Sequence, residues 1–317
     1  MLVLYREQQR WEDRMFREFP EFLGSNDCLV LNDSKVFPSR LYGHRVGVHS
    51  LPVGKNNPKR LQNLSGQVQI LLVQPVSDDG KTWTALVHPG RKMRVGERIR
   101  IADVEAEIVG RAEYGERAVK FNLDGDMYEW LENIGHVPLP PYIKRPDAPS
   151  DRERYQTVFA HQTGSVAAPT AGLHFTAEIL DVCRGKGAEI AYVTLHVGLG
   201  TFQPVRGESL HEERFHVTDE NAAKIKAAHR VICAGTTSVR AVESMFLGKA
   251  GETDLFIRPG FHFQRTNAML TNFHLPQSSL LILVCAFAGR ELVLSAYQHA
   301  VEAGYRFYSY GDCMLVL

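Results

Sequence analysis

The sequence predicts an α+β or mixed α/β protein: a large domain with a mixed β-sheet and flanking helices, and a small antiparallel β-barrel domain inserted into it. Short buried strands alternate with helical patterns over residues 136–317, which is typical of a sheet covered by helices. Over residues 43–135, short alternating runs separated by turns follow one another without a long helix, which is typical of an antiparallel barrel. We therefore predict a discontinuous large domain, residues 1–42 and 136–317, and an inserted barrel, residues 43–135.

The composition limits the class of protein. The 317 residues include 36 Lys+Arg and 36 Asp+Glu, so the formal net charge is zero. This balance argues against a protein that coats nucleic acid non-specifically, but it allows a local basic face. The five cysteines lie far apart and form no CxxC pair, which is typical of buried thiols in a reducing compartment. The charged start is unlike a signal peptide, and we expect a cytoplasmic protein.

The N-terminal elements begin with an apolar run over residues 2–5 that predicts a strand. Apolar residues at helical spacing then predict a helix over residues 11–22. A short buried strand is predicted over residues 28–31, and Asn32 and Asp33 form a polar turn at its end. Polar side chains at the end of a buried strand are well placed for a functional site, although Asn-Asp is also ordinary turn chemistry.

The predicted barrel carries one strongly basic segment. Residues 88–100 contain five basic side chains and one acidic side chain. A small barrel with a basic edge can follow a phosphate backbone. A solvated rim without a partner is the alternative interpretation of such a charge run.

The stretch with the sequence GSVAAPTAGLHFT, residues 164–176, has neither a helical nor a strand period. Its small residues let a backbone come close to a ligand. It leads into a predicted helix with Thr176 as the N-cap. A small-residue loop before a helix N-terminus favours an acceptor or an anion, with His174 and Phe175 at its mouth. A tight structural turn with a capping histidine is the alternative.

Two more strand ends resemble this site type. A strand predicted over residues 188–197 ends in the glycine-rich run 198–202, and a buried strand over residues 231–234 turns into a helix through residues 235–238. The second turn is a candidate anion cradle, although it lacks the P-loop lysine and the GxGxxG spacing. An apolar helix predicted over residues 278–288, with a serine cap, has the all-round hydrophobicity of a central buried helix.

Several stretches together resemble one known family, the S-adenosylmethionine:tRNA ribosyltransferase-isomerases of queuosine biosynthesis. The resemblance extends over nearly the whole chain and keeps the order of the motifs. The stretches that carry it are LVLND (29–33), HVPLPPY (136–142), RERYQTV (152–158), the central loop (165–176), TLHVGLGTF (194–202), GTTSVR (235–240), TNFHLP (271–276) and the aromatic tail (305–314).

The resemblance implies that the ribosyl part of S-adenosylmethionine, rather than its methyl group, is transferred. The implied acceptor is 7-aminomethyl-7-deazaguanine at the wobble position of a tRNA. Rearrangement would give epoxyqueuosine-tRNA, with release of adenine and methionine. A sulfonium acidifies the adjacent ribose C–H, so a general base is expected beside it. An aromatic face can hold the sulfonium by cation–π attraction. We expect no metal and no membrane partner, and we expect a monomer.

The resemblance also suggests roles for individual residues. The acid, base or catalytic candidates are His174, His196, His274 and Asp33. The candidates for binding S-adenosylmethionine are Ala168, Pro169, Thr170, Ala171, Gly172, Phe175, Gly200, Thr201, Phe202, Thr236, Thr237, Arg240, Tyr310 and Asp312. Among these, the aromatic residues would stack on adenine or the sulfonium, and Arg240 with the two threonines would take the carboxylate. The candidates for contacting the tRNA or its modified base are Asn32, Arg40, Arg91, Lys92, Arg94, Arg154, Tyr155, Gln156 and Asn272.

The sequence departs from the family pattern in two places. The family usually has a further N-terminal segment before the first strand, and the stretch 207–216 is shorter here and poorer in histidine. Two alternatives follow for the function. A methyltransferase dependent on S-adenosylmethionine would normally show a glycine-rich turn after its first strand, which is absent. A tRNA-binding homologue with impaired catalysis, lacking the N-terminal segment, is the second alternative.

Overall fold

The computed structural model describes residues 1–46, 66–112, 115–198 and 210–317. These residues divide into two compact units. The first unit comprises residues 1–36, 140–144 and 153–317, and the second comprises residues 37–139 and 145–152. The first unit contains the large sheet and the second contains the barrel, so the predicted fold class is confirmed.

The described residues form strands in both units. In chain order they are β1 (Leu2–Tyr5), β2 (Arg10–Asp13), β3 (Asp27–Asn32), β4 (Ser34–Val36), β5 (Arg40–Arg45), β6 (Gln67–Pro75), β7 (Thr82–His88), β8 (Arg98–Ile101), β9 (Val104–Arg111), β10 (Arg117–Asn122), β11 (Gln162–Ser165), β12 (Glu189–Leu195), β13 (Glu213–His216), β14 (Arg230–Ala234), β15 (Glu252–Thr253), β16 (Ala268–Asn272) and β17 (Cys313–Val316).

The described α-helices are α1 (Met127–Ile134), α2 (Asp151–Arg154), α3 (Ala177–Gly185), α4 (Asp219–Ala227), α5 (Thr236–Phe246), α6 (Ser279–Ala288) and α7 (Arg290–Glu302). No single helix in these parts of the chain is long and apolar enough to cross a membrane, and α6 and α7 reach that length only as a pair bent by 115°.

The large sheet has nine strands in the order β15-β13-β12-β3-β14-β16-β17-β1-β2. Its central neighbours β12, β3, β14 and β16 run parallel to one another. Strands β13, β15, β17 and β2 add antiparallel pairs at the two sides. Because the four central strands run in the same direction, their carboxyl ends meet at one edge of the sheet, where ligand sites of α/β sheets form.

Both faces of this sheet are buried. Along β3, Cys28 and Val30 belong to one apolar cluster, while Leu29 and Leu31 belong to another. Successive side chains of a strand point to opposite faces, so this alternation places a hydrophobic core on each side. A strand buried on both faces reads as a continuous apolar run, as the sequence of β3 does.

The barrel of the second unit is closed by six strands in the order β10-β7-β6-β5-β8-β9, and its neighbours pair antiparallel. Val68, Ile70 and Leu72 alternate along β6 as fully buried side chains. Gly43 on β5 allows close approach to β8, because a Cβ at this position would lie 2.7 Å from the Arg100 carbonyl oxygen. The predicted antiparallel barrel is therefore confirmed.

The predicted helix over residues 11–22 is wrong. Residues Arg10–Asp13 pair with β1 as an antiparallel strand, and residues Phe16–Phe22 form a 3₁₀ helix that contains Pro20. The apolar residues of this segment serve different surfaces: Trp11 packs against one core cluster and Phe19 belongs to the other. The apolar residues had the spacing of one helical face, but they belong to two short elements, a strand and a 3₁₀ helix.

Both predicted serine and threonine caps are confirmed. The Thr176 hydroxyl accepts from the Ile179 amide at 3.3 Å, and the Ser278 hydroxyl accepts from the Leu281 amide at 3.2 Å. Helix α6 is less completely buried than its apolar composition predicts. Its buried residues include Leu283, Val284 and Phe287, whereas Leu281 lies on a side that is only half-buried.

A fully buried carboxylate anchors helix α5 to the segment that precedes β16. Glu243 on α5 has no exposed surface. It accepts hydrogen bonds from the backbone amides of Gln264, Arg265 and Thr266 at 2.6, 3.1 and 2.8 Å and from the Thr266 hydroxyl at 2.7 Å. Because a carboxylate can accept several hydrogen bonds at once, one side chain satisfies three backbone donors, of which the Thr266 amide is buried.

Removing this carboxylate is expected to destabilise the protein strongly. Glu243→Ala should lower the free energy of unfolding by about 3 kcal/mol, because it leaves the buried amide and hydroxyl of Thr266 and two partly buried amides unpaired. Urea unfolding followed by circular dichroism measures the change. The matched control is Glu302→Ala, which removes an exposed glutamate near the end of α7 and should change stability by about 0.5 kcal/mol or less. Equal stability of the two variants would contradict the anchoring role.

Candidate active site

A cleft opens at the edge where the central strands of the large sheet end. Its wall consists of four stretches and two single residues from different parts of the first unit. They are residues 167–171 of the central loop, residues 235–237 after β14, residues 271–275 with 278 and 280 around the end of β16, residues 308–309 of the aromatic tail, and Tyr142 and Val197. The central loop and the residues after β14 and β16, each a motif in the sequence, therefore meet in one place.

One side of the cleft is the start of helix α5. Gly235 precedes the helix with a φ of +97°, a conformation that glycine adopts without strain. No side chain among the described residues caps this helix, and both Thr236 and Thr237 line the cleft. The N-terminus of a helix carries partial positive charge and unpaired amide donors, so this side of the cleft favours an anionic group.

The segment that follows the neighbouring strand β16 contributes a histidine. His274 lines the cleft, and its Nε2 lies 2.7 Å from the Thr271 hydroxyl oxygen. Its backbone amide donates to the Tyr297 hydroxyl at 2.9 Å. Burial lowers the pKa of His274 to about 4, because a charged imidazolium loses its hydration there. The ring is therefore neutral at pH 7, the form in which an imidazole can accept a proton.

Asn272, the last residue of β16, holds the aromatic tail against the cleft. Its Nδ2 donates to the carbonyl oxygens of Tyr308 and Ser309 at 2.9 and 3.4 Å. The Asn272 Oδ1 and the His174 Nε2 are both buried and make no hydrogen bond of standard geometry among the described residues, although the Asn272 side chain interacts with His174 and opposes the lowering of its pKa by burial. Buried polar atoms without a partner are uncommon and often mark functional positions.

The structure brings eight of the predicted residues into the cleft wall. They are Ala168, Pro169, Thr170, Ala171, Thr236, Thr237, Asn272 and His274. Their roles in binding or catalysis stay predictions, since proximity alone does not assign chemistry.

Other residues predicted to bind S-adenosylmethionine lie outside the cleft wall. Phe175 is 2% exposed, and its ring packs edge-to-face against Phe16 and Phe19. A Cβ at Gly172 would lie 2.8 Å from the Thr157 side chain. The absence of a side chain at this position therefore lets the loop pack closely against Thr157. The Tyr310 ring is tilted by 56° against the Tyr155 ring, at a centroid distance of 5.9 Å. These contacts give the three residues structural partners.

Two predicted charged ligands are already paired. Arg240 is buried in an ion pair with Glu213, and its Nε donates to the Leu255 carbonyl oxygen at 3.0 Å. Asp312 pairs with Arg306 at 3.1 Å and also accepts from the Arg306 amide at 2.8 Å. Arg306 lowers the pKa of the Asp312 carboxyl against the effect of burial. Both charges are neutralised within the protein, so neither residue is an unpaired ligand for a carboxylate or a ribose.

The side chain of Asn32 is used for hydrogen bonds within the protein, whereas the carboxyl group of Asp33 has a raised pKa. The Asn32 side chain is 1% exposed and bonds to residues of β12 and α5. Asp33 accepts from the Thr194 hydroxyl at 2.6 Å, and burial raises the pKa of its carboxyl. Asp33 is not part of the cleft wall described above.

His196 lies beside a glycine of the central stretch. A Cβ at Gly164 would lie 2.8 Å from the His196 ring, so the backbone packs directly on the imidazole. Burial lowers the pKa of His196 to about 4, as it does for His174. The Nδ1 atom of His196 is buried without a partner among the described residues. Like His174, it stays a candidate outside the cleft wall.

The residues of the stretch 154–156, predicted to contact the tRNA, differ in burial and in hydrogen bonding. Both ends of the Gln156 amide bond to the backbone of Val36, at 3.1 and 2.6 Å. Tyr155 is 1% exposed, whereas Arg154 is exposed. Gly200, Thr201 and Phe202 lie outside the described residues.

In the barrel unit, Arg91 and Lys92 belong to a short 3₁₀ turn, and Arg91 and Arg94 are exposed. Arg117 holds this turn, since its Nε donates to the Met93 carbonyl oxygen at 3.0 Å and its Nη2 to the Gly90 carbonyl oxygen at 3.1 Å. Arg40 donates to the Leu139 carbonyl oxygen at 3.0 Å. Arg91 and Arg94 therefore point to solvent in or next to a turn that Arg117 holds in place. Arg40 instead uses part of its guanidinium for a hydrogen bond within the unit.

Among the residues of the cleft wall that sequence reasoning missed are Tyr142, Thr271, Tyr308 and Ser309. Tyr142 and Tyr308 lie in two of the stretches that carried the family resemblance, which was the available signal. Their meeting depends on contacts between residues 167 positions apart in the chain. In the described parts of the chain, no group of three or more His, Cys, Asp or Glu side chains could hold a metal ion.

Comparison with known proteins gives one consistent family. Residues 1–316 match the family model described as "Queuosine biosynthesis protein". The chain is 63% identical to a protein of Solibacter usitatus named S-adenosylmethionine:tRNA ribosyltransferase-isomerase, covering 100% of the chain and 92% of that protein. It is 43% identical to a protein of the same name from Syntrophotalea carbinolica, with the same coverage.

A solved structure is also similar to this chain. The crystal structure of an S-adenosylmethionine tRNA ribosyltransferase from Thermotoga maritima shares 34% sequence identity, with a TM-score of 0.52. The match covers 100% of this chain and 91% of that one. The similarity therefore extends over both units.

The buried histidines predict that stability falls in mild acid. Burial lowers the pKa values of His174, His196 and His274 to about 4, while an unfolded histidine titrates at about 6.5. Between these values the unfolded chain binds more protons than the folded one, so stability decreases as the pH falls from about 6.5 to about 4. Urea midpoints measured from pH 7.5 to pH 4.5 should show this decrease.

Replacing one of these histidines should weaken the dependence of stability on pH. His274→Gln is expected to give a shallower fall of the urea midpoint with decreasing pH than the wild-type protein. The exposed His262→Gln variant should keep the wild-type dependence. A His274→Gln profile parallel to that of the wild type would show that burial of His274 does not contribute to the acid sensitivity.

Proposed function

Because this chain belongs to the queuosine biosynthesis protein family, we propose that it is an S-adenosylmethionine:tRNA ribosyltransferase-isomerase. It transfers the ribosyl part of S-adenosylmethionine to tRNA and isomerises it. The observation that carries this proposal is the high identity, along the whole chain, with the Solibacter relative of that name. The alternatives of a methyltransferase and of a catalytically impaired tRNA-binding protein are not favoured, since the Solibacter and Syntrophotalea relatives share the ribosyltransferase-isomerase name.

The acceptor in this proposal is 7-aminomethyl-7-deazaguanine at the wobble position of a tRNA. Its primary amine is a nucleophile that can attack the ribosyl carbon, and adenine and methionine then leave. The product is epoxyqueuosine-tRNA. The protein has to bind a sulfonium nucleoside and a tRNA together, with acid–base groups at the point where they meet.

The cleft supports the donor half of this chemistry. His274 is neutral at pH 7 because burial lowers its pKa to about 4, so it can accept a proton without first losing one. The ribose C–H next to the sulfonium is the acidic position that needs such a base. The start of α5, with Thr236 and Thr237, suits the methionine carboxylate, since a helix N-terminus favours anions.

The barrel supports the tRNA half. Arg91, Lys92 and Arg94 belong to or follow the turn that Arg117 holds in place. Positive side chains on a fixed turn gain affinity from phosphate groups by releasing counterions. We therefore assign the tRNA contact of the second unit to this segment.

The reaction is tested by adenine release. Purified protein incubated with S-adenosylmethionine and tRNA carrying 7-aminomethyl-7-deazaguanine should release one adenine for each tRNA modified, and mass analysis of the nucleoside should show the added ribosyl-derived ring. His274→Ala should lower kcat by about 100-fold or more, the usual scale for a lost acid–base group. The exposed His262→Ala variant should keep the wild-type rate. A nucleoside heavier by one methyl group, without adenine release, would instead establish methyl transfer.

The tRNA contact is tested by salt dependence. The double variant Arg91→Ala/Arg94→Ala should raise KM for tRNA about 10-fold at physiological salt and reduce the slope of log affinity against log salt by about 2, one for each lost cation. KM for S-adenosylmethionine should not change. Lys120→Ala, which removes an exposed base on β10, is the matched control. If both proteins bind tRNA with the wild-type salt slope, the basic segment has no role in tRNA binding.

A further inference from the structure

An aromatic pair forms one wall of the cleft. The rings of Tyr142 and Tyr308 have a centroid distance of 4.9 Å and an interplanar angle of 33°. Both residues line the cleft and both keep part of their surface exposed. Large aromatic rings normally bury most of their surface, so a partly exposed pair in a concave site is available to a flat ligand.

The polypeptide around this pair is held in a fixed position. Tyr308 has a φ of +74°, a conformation that costs free energy for a residue other than glycine. Three groups hold it: the Tyr308 amide donates to the Phe273 carbonyl oxygen at 3.1 Å, the Asn272 amide holds the Tyr308 carbonyl oxygen, and the Tyr142 hydroxyl bonds to the Ser309 side chain and accepts from the Ser309 amide. Strain that several bonds maintain is typical of functional positions.

The charge of the cleft wall narrows the choice of ligand. None of the lining residues within the described parts of the chain is Lys, Arg, Asp or Glu. A polyanionic tRNA backbone needs cations along its path, whereas a nucleobase needs a flat apolar surface on which to stack. A small nucleoside therefore fits this wall better than a nucleic acid strand does.

We propose that Tyr142 and Tyr308 form the wall on which the adenine of S-adenosylmethionine stacks, and that Asn272 is a positioning residue for this wall. The inference rests on the proposed function and adds the orientation of the donor. Adenine lies against the tyrosines, and the methionine carboxylate lies toward the start of α5. In this orientation the ribose lies between the two subsites, beside the wall that contains His274.

Two probes that each contain one half of the donor test the orientation. 5′-Methylthioadenosine carries the adenine without the amino acid, and S-methylmethionine carries the sulfonium and the amino acid without adenine. Binding of each is measured by calorimetry in the absence of tRNA. Tyr308→Leu should weaken methylthioadenosine binding about 10-fold or more, since the loss of one stacked aromatic ring has effects of this size, and should leave S-methylmethionine binding within about twofold. Tyr308→Phe, which keeps the ring, should bind both probes like the wild type.

Asn272 is tested by a double-mutant cycle. Asn272→Ala should weaken methylthioadenosine binding in the same direction as Tyr308→Leu, and the double variant should be little worse than Tyr308→Leu alone, because both changes act through one wall. A purely structural role for Asn272 would instead lower both probe affinities and add to the tyrosine effect. Tyr192→Leu, at a half-buried position on β12 against Phe159, is the control for loss of a tyrosine elsewhere.

Each outcome separates this inference from the proposed function. If wild-type protein releases adenine with tRNA but Tyr308→Leu leaves methylthioadenosine binding unchanged, the reaction stands and the adenine wall is wrong. If Tyr308→Leu weakens only S-methylmethionine, the wall holds the sulfonium rather than the base, and equal weakening of both probes would show a structural effect and contradict the adenine wall. If only KM for tRNA changes, the tyrosines face the tRNA base. Absence of adenine release from the wild type contradicts the proposed function itself, while the two binding measurements still report on the wall.

Discussion

The buried carboxamide of Asn32 fixes the sheet edge on which the cleft depends. Its Oδ1 accepts from the amides of Ser34 and Leu195 at 3.1 and 3.0 Å, and its Nδ2 donates to the Leu195 carbonyl oxygen at 3.0 Å and to the Thr237 hydroxyl at 3.1 Å. All four hydrogen-bonding positions of an asparagine side chain are used. One residue therefore ties the end of β3 to the end of β12 and to the first turn of α5. A shorter or apolar side chain would leave buried backbone groups of β12 unpaired.

The cleft that results is chemically neutral, and this has consequences for how it can act. The ion pair between Arg240 and Glu213 lies on α5 and β13, away from the cleft wall, and His274 is uncharged at pH 7 because burial lowers its pKa to about 4. The start of α5 carries partial positive charge, so this side of the cleft suits the methionine carboxylate and not the cationic sulfonium. A neutral imidazole beside it can take a proton without a strong ion pair holding that proton afterwards.

Much of this arrangement could be predicted from local sequence. The cap residues Thr176 and Ser278 and the alternating strands of the barrel follow from patterns within short windows. Other features could not be predicted, because they depend on distant partners. Nothing near Arg240 indicates that Glu213 neutralises it, and the all-apolar pattern of α6 does not show which of its sides is left half-buried. Phe175 has the residue type expected of a stacking group, but its ring packs against Phe16 and Phe19, which lie 159 and 156 positions earlier in the chain.

The aromatic wall shows how the sheet sets the geometry of a tail that has little regular structure of its own. Asn272 ends β16 and pairs in register with Cys313, the first residue of β17. The tail segment with Tyr308 and Ser309 enters β17 through this register, so Asn272 is placed directly against the carbonyl oxygens that it binds. Pairing of β17 with β1 as well as β16 fixes the strand from both sides. The unfavourable backbone conformation of Tyr308 is thus maintained by the sheet, and the position of the wall is a consequence of strand register rather than of the tail sequence alone.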